Sequence, residues 1–242
     1  MSGLVFVTMA GHGGEDSGAA NPYHPWLPEK AINLMIDAEF SRLAVLNGHS
    51  AYRLRTGDIK VSLNEIAPKA IQVNANAVFE FHCDSVTDQN ARGCHAIILP
   101  GTPGENVGMR LVSYIEAQTG IPALGVKDHF WGTSPTPIYT RDVERFGQLA
   151  NRIHSMTENG FISNAIDESI LSSAAGRTEI AWSHLAGVHD YYGLPLPIVS
   201  GGGSSVGVAG LLAMIVAVGA LGFTYKMVSD NKQSEKGGKR YV

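Results

Sequence analysis

His12, Glu29, His82 and Glu158 combine metal-type donors with a proton-accepting carboxylate, spread over much of the chain. His12 follows the first apolar run and lies inside the turn Gly11-His12-Gly13-Gly14, where glycines let backbone and ligands approach closely. Glu29 opens the first long helical pattern, where a carboxylate also suits the helix dipole without any chemical role. His82 closes another apolar run, and the carboxyl ends of parallel strands are where α/β sites are built. Each residue alone is explained as well by structure. Together, two histidines and a glutamate meet the needs of a catalytic zinc site, which takes three N/O ligands and keeps one position open for water. Their wide separation excludes a short finger-like metal loop and demands a site assembled by the tertiary fold. Glu158 follows the run 153–157 and precedes Asn159-Gly160, so it reads as a strand end entering a turn. A carboxylate there can take a proton from water at a metal and return it to a leaving amine.

Placing these four side chains requires strands that finish at loops on one edge. Short apolar runs predict strands over 4–8, 51–54, 77–82, 95–99 and 153–157. Helical spacing covers 29–46, 62–76, 107–118, 166–171 and 178–192, and Asn47-Gly48 stops the first of these in the usual manner. The Pro-, Gly- and Thr-rich stretch 121–141 reads as a loop flanking a site. Such alternation predicts an α/β fold, a mostly parallel central sheet with helices on both faces. A linker and one transmembrane helix are expected to follow.

The segments Ala10-Gly-His-Gly-Gly-Glu-Asp-Ser-Gly-Ala19, Glu29-Lys-Ala-Ile-Asn-Leu34, Phe79-Glu-Phe-His82 and Glu158-Asn-Gly-Phe-Ile-Ser-Asn164 stand in that order along the chain. They resemble the successive motifs of the zinc N-acetylmuramoyl-L-alanine amidases, the amidase_3 group of bacterial cell-wall hydrolases and phage endolysins. Arg53-Leu-Arg55-Thr56 is similar to that family's second-strand ending, and 180–192 to its closing helix. The resemblance covers about residues 4–193. It implies that His12, Glu29 and His82 are zinc ligands and that Glu158 is the catalytic carboxylate. The implied reaction is hydrolysis of the amide between the lactyl group of N-acetylmuramic acid and L-alanine, in peptidoglycan. Asp16 matches a common acidic position whose expected part is to hold the Gly-rich turn in shape. Cys83-Asp84 replaces the small residue and Asn that usually follow the third ligand, and Cys83 is expected to pack on the opposite strand face. Glu65 stands where the family often has Arg in its second long helix. His24, His95 and His129 are assigned to loops as solvated side chains, and Trp26 and Trp131 offer either a sugar-stacking face or structural packing.

A net charge of −4 excludes a large basic surface for nucleic acid. Cys83 and Cys94 are too few for a disulfide framework; one bridge or two reduced thiols both fit. The sequence divides into a catalytic domain over 1–193, a Pro/Gly/Ser linker over 194–205, a transmembrane helix over 206–225 and a basic tail over 226–242. Residues 206–223 contain no charge, against about twenty apolar residues for a bilayer core. The bland alternative is a buried core helix. Lysines and Arg240 in the tail predict that it stays cytoplasmic and that the domain faces outward. The first residues lack the basic start and long apolar run of a secretory signal. Tether and missing signal together suggest an endolysin, or an enzyme in the membrane of a lipid-containing virion. Gly203, Gly207 and Gly210 suit close helix approach and homo-oligomers. Two other functions remain open: a zinc peptidase cutting elsewhere in the stem peptide, and a non-catalytic, membrane-anchored wall-binding or structural virion protein.

Overall fold

The computed structural model describes residues 3–128 and 144–199. Six strands, β1 (Val5–Ala10), β2 (Ser50–Arg53), β3 (Ala77–Asp84), β4 (Cys94–Ile98), β5 (Ala123–Asp128) and β6 (Ile153–Phe161), form one sheet in the order β2-β1-β3-β6-β4-β5. All neighbours run parallel except β4 and β6. The central strands β1, β3 and β6 are buried along nearly their whole length because helices cover both faces. On one face Val7, Met9 and Val78 pack on Ile66, Ala67 and Ala70 of α2 (Ile66–Gln72). On the other, Phe6, Phe79 and Phe81 stack against Phe40 of α1 (Glu29–Leu46). Beside α1 lies α5 (Ala174–Tyr191), and against its other side packs α3 (Pro103–Thr119), the two meeting closely where Gly187 faces the Leu111 backbone. The short α4 (Ala165–Leu171) precedes α5 and is capped by Asn164, whose side chain accepts from the amides of Ile166 and Asp167.

Several elements depart from the sequence reading. The stretch taken as a loop contains β5, whose side chains are too mixed to show periodicity. The second long helix is a 3-10 turn, Leu63–Glu65, followed by α2; the capping box of Ser62 and Glu65 marks its start, and Glu65 serves that cap. α3 begins at Pro103, a favoured first-turn residue, ahead of the expected 107. β6 continues to Phe161, so Glu158 lies inside a strand and not at its end. His95 sits on β4 at 1 % exposure, which corrects its assignment to a solvated loop. Cys83 and Cys94 are both free and buried: Cys83 faces Asn33 of α1, and Cys94 lies against the Val112 carbonyl of α3, so no bridge joins them.

The domain continues past 193 as far as the described residues reach, to 199. Trp182 Nε1 donates to the Pro197 carbonyl, Asn47 exchanges two bonds with Ile198, and His189 bonds the Pro195 carbonyl. The prolines and alternating apolar residues that read as a linker are therefore seated on the domain as far as 199. The transmembrane helix expected over 206–225, the basic tail, His129 and Trp131 fall outside the described residues. Among the described residues, no helix is long and apolar enough to cross a membrane.

Candidate metal centre

β1 delivers the chain into the turn that carries His12. His12 adopts φ 62°, a left-handed conformation that a non-glycine residue holds only under constraint. The constraint is a pair of backbone bonds, Gly13 N to Asp16 O at 2.8 Å and Asp16 N to Gly13 O at 3.2 Å. Arg55 supplies the rest. Its guanidinium is buried and donates to the carbonyls of Ala10, Gly11, Gly57 and Lys30, tying the end of β1 to the start of α1. His12 and Glu29 thus occupy two segments clamped by one side chain.

Glu29 is the first residue of α1 and is buried. Its Oε2 accepts from Ala19 N at 2.8 Å and its Oε1 from Asn33 Nδ2 and Cys83 N, both at 3.1 Å. The same carboxylate separates the two histidines: Oε2 lies 3.1 Å from His12 Nε2, and Oε1 lies 3.2 Å from His82 Nδ1. Ligand atoms of His12, Glu29 and His82 all fall within 4.8 Å of one another. Two donors bound at about 2.0–2.1 Å to one tetrahedral zinc stand roughly 3.3 Å apart, so the spacing fits such an ion.

Two glycines shape the cradle. A Cβ at Gly11 would collide with the His82 imidazole, and one at Gly18 with Glu29 and His12. Asp16 stands behind His12, its Oδ1 3.0 Å from Nδ1, while also accepting from Gly18 N. The sequence reading gave Asp16 only the turn. It also fixes the ring, leaving Nε2 to face Glu29, the outer carboxylate that histidine ligands commonly have. An acidic residue four positions after a histidine in a tight turn was the available signal.

Electrostatics agree with a cation site. Burial would raise the Glu29 pKa, yet His12 and His82 hold it well below the ordinary carboxylate range. Burial opposes charge on His82, yet Glu29, with Glu158 and Glu80 adding negative charge, lifts it to about 9. His12 is raised against burial by the same Glu29. Surroundings that favour positive charge on both rings equally favour a dication shared between them.

Glu158 is the parallel-register partner of His82 across β3 and β6. Burial, with like charge from Glu29 and Asp84, pushes its carboxyl up to about 7 against the pull of His82 and His12. Its Oε2 is buried and accepts no hydrogen bond among the described residues. An orphaned oxygen that titrates near neutrality, beside a set of metal-type ligands, suits proton transfer. The opposite partner of Glu158, across the antiparallel pair, is His95.

Buried polar groups surround the cluster. Asn159 donates to the His82 carbonyl and accepts from the buried His184 Nε2, supporting the strand under His82. Glu80 is buried with Arg145 and His154 on either side. The Cys83 thiol, its pKa raised by burial, lies 3.4 Å from Asn33 Oδ1, packed as expected and not turned toward the ligands. His24 is half-exposed in the 19–28 loop, bonded through Nδ1 to Glu168 at 2.7 Å; Trp26 nearby is 77 % exposed.

Residues 7–190 match the family described as Amidase_3: N-acetylmuramoyl-L-alanine amidase. The N-acetylmuramoyl-L-alanine amidase AmiC of Escherichia coli O6:H1 is 24% identical over 222 residues, covering 78% of this chain and 53% of that protein. YqiI of Bacillus subtilis strain 168 is 30% identical over 192 residues, covering 79% of this chain and 86% of that protein. Among solved structures, the catalytic domain of CwlV, an N-acetylmuramoyl-L-alanine amidase from Paenibacillus polymyxa, aligns with a TM-score of 0.67 at 20% identity, over 79% of this chain and 99% of that one. Likeness at that identity establishes the fold. The chain spans about half the length of the AmiC relatives it matches.

Proposed function

We propose, on the premise that the chain belongs to the Amidase_3 family, that it hydrolyses the amide joining N-acetylmuramic acid to L-alanine in peptidoglycan. His12, Glu29 and His82 would hold zinc, and Glu158 would move the proton. The observation that carries this reading is the convergence of three metal-type donors with an unpaired, neutral-range carboxyl on the next strand. Zinc held there would supply Lewis-acid polarisation of the scissile carbonyl and a water of lowered pKa. The protein's own residues do the rest. Asp16 and Asn33 keep His12 and Glu29 aimed, and Arg55 keeps their two segments in register. Glu158 Oε2 accepts the proton of the attacking water and passes it to the amide nitrogen as the bond breaks. The products are a lactyl carboxylate on the sugar and a peptide with a free L-alanine amine.

The test is the full chain incubated with purified peptidoglycan, with and without a chelator, beside Glu158→Gln. New L-alanine amino termini, lost on chelation and restored by zinc, are the expected result. New termini at another residue would make it a stem-peptide peptidase. No new termini from folded, zinc-loaded protein would favour a wall-binding role.

Residues 206–225 we read as a membrane tether, on the strength of their uncharged composition and the basic residues after them. Co-flotation of the full chain with lipid vesicles, lost when 206–225 are deleted, is the expected outcome. Whether the membrane is a virion's or a host cell's is decided by fractionating each.

A further inference from the structure

The segment between the first two ligands is a closed loop whose base is the metal centre itself. Glu29 N donates to the Ala19 carbonyl at 3.1 Å, and Ala19 N donates back to Glu29 Oε2 at 2.8 Å. Its middle is fixed from the side. Asn21 Oδ1 accepts from the amides of Tyr23 and His24 at 3.0 and 2.9 Å, while Asn21 Nδ2 and His24 Nδ1 both reach the buried Glu168 of α4, at 2.8 and 2.7 Å. Tyr23 Oη donates to the Ser163 carbonyl, in the loop that follows β6. Leu27 N then closes a turn onto the His24 carbonyl.

On this braced loop Trp26 is 77 % exposed, the most exposed large apolar side chain among the described residues. The His24 ring meets it in a T-shaped contact, 5.2 Å between centroids and 71° between planes. An indole held by its neighbours yet left in water is not core packing, because burial of its area is what packing would gain. It lies three residues before Glu29, so its Cα is at most about 11 Å from that ligand's Cα along the chain.

We propose that Trp26 is a saccharide-stacking platform for the glycan strand, which binds the sugar adjoining the bond that is cut. The inference rests on the amidase reading, and the substrate's chemistry supplies the occupant. Only the lactyl group separates the sugar ring from the scissile carbonyl, so a carbonyl at the metal centre brings the pyranose within reach of this loop. The C–H face of a pyranose is apolar and flat, and an exposed indole face is its natural complement. The braces on Asn21 and His24 keep the indole from collapsing onto the domain before the sugar arrives, which reduces the ordering lost on binding.

The experiment uses the full chain carrying Glu158→Gln, titrated with the GlcNAc–MurNAc disaccharide and followed by isothermal titration calorimetry. Trp26→Ala and Trp26→Phe are compared in that background, and in the otherwise wild-type chain by steady-state kinetics on soluble disaccharide-peptide. Expected are saturable binding weakened roughly tenfold in Trp26→Ala and largely kept in Trp26→Phe, with KM raised by a similar factor, kcat within about twofold and zinc content unchanged. Undiminished binding by Trp26→Ala, or no saturable disaccharide binding by the parent chain, overturns the proposal. Since binding is read without turnover, saturable Trp26-dependent binding in a chain that cuts a different bond would leave the platform standing and reject only the amidase reading.

Discussion

Two histidine pairs in this protein have nearly the same ring geometry and opposite chemistry. His12 and His82 lie with centroids 5.0 Å apart and planes at 78°; His49 and His189 lie 5.0 Å apart at 82°. Between the first pair stands the Glu29 carboxylate, and both rings are pushed toward the charged form. The second pair touches directly, Nε2 to Nε2 at 2.8 Å. Its protons can be placed. Leu4 N donates to His49 Nδ1, so His49 carries its proton on Nε2; the Pro195 carbonyl can only accept, so His189 carries its proton on Nδ1 and receives the His49 bond at Nε2. A proton added to either ring breaks this relay, and burial together with the neighbouring His189 accordingly lowers the His49 pKa. Proximity of histidines therefore does not make a metal site. A carboxylate between them, and room made by Gly11 and Gly18, is what sets the candidate centre apart.

The comparison breaks most completely if Glu29 is removed. Glu29→Gln should weaken zinc binding by more than about 100-fold and abolish turnover, while the fold persists; metal analysis after dialysis checks this. His49→Gln, by contrast, should leave zinc content at the wild-type value. Next in size, Glu158→Gln should lower kcat by about 10²–10⁴ with zinc retained, measured on the metal-loaded protein. If zinc is lost as well, Glu158 belongs to the ligand set and its assigned role is wrong. Asp16→Asn should weaken zinc by about 10–100-fold, because the ring of His12 loses its partner but not its place.

The smallest effect concerns pH, and there the two pairs should differ in sign. In the metal-free chain His82, raised to about 9, contributes stability that is complete below its unfolded pKa and is lost as pH rises toward 9. His49 is lowered, so the unfolded state binds the extra proton and stability falls as pH drops below about 6.5. His49→Gln should cost about 1 kcal/mol at neutral pH and flatten the acid side of the stability curve, seen by denaturant titration between pH 7 and 5. Proton NMR titration of the two rings, giving midpoints on opposite sides of 6.5, is the sharper check; equal midpoints would remove the basis of the comparison.

Much of the molecule is legible in its sequence. α1 over Glu29–Leu46 has both its ends marked, by an acidic first turn after proline and by Asn47-Gly48. The run 77–82 is apolar enough to read as β3, and its last residue is the histidine that reaches the Glu29 carboxylate. β5 and the true extent of β6 are less legible, because alternation is weak where a strand's neighbours, and not its own pattern, hold it in the sheet. His95 shows a related limit: it opens the run 95–99 that reads as a strand, yet only its antiparallel pairing with Glu158 accounts for its burial.

What the sequence determined by itself is the set of local commitments: the glycine turn around His12, the helix that starts at Glu29, the strand that carries His82, and the uncharged stretch after 205. These depend on neighbours within a turn or two of chain, and residue type suffices to specify them. Long-range packing selected which of the histidines share a carboxylate. It also decided that Arg55 ties the segments of His12 and Glu29 together and that residues 194–199 return to the domain. Those outcomes depend on distances between parts far apart in sequence, which are set by strand order and helix packing. A histidine's composition is the same in both pairs; its charge, and so its chemistry, is assigned by what the fold places between the rings.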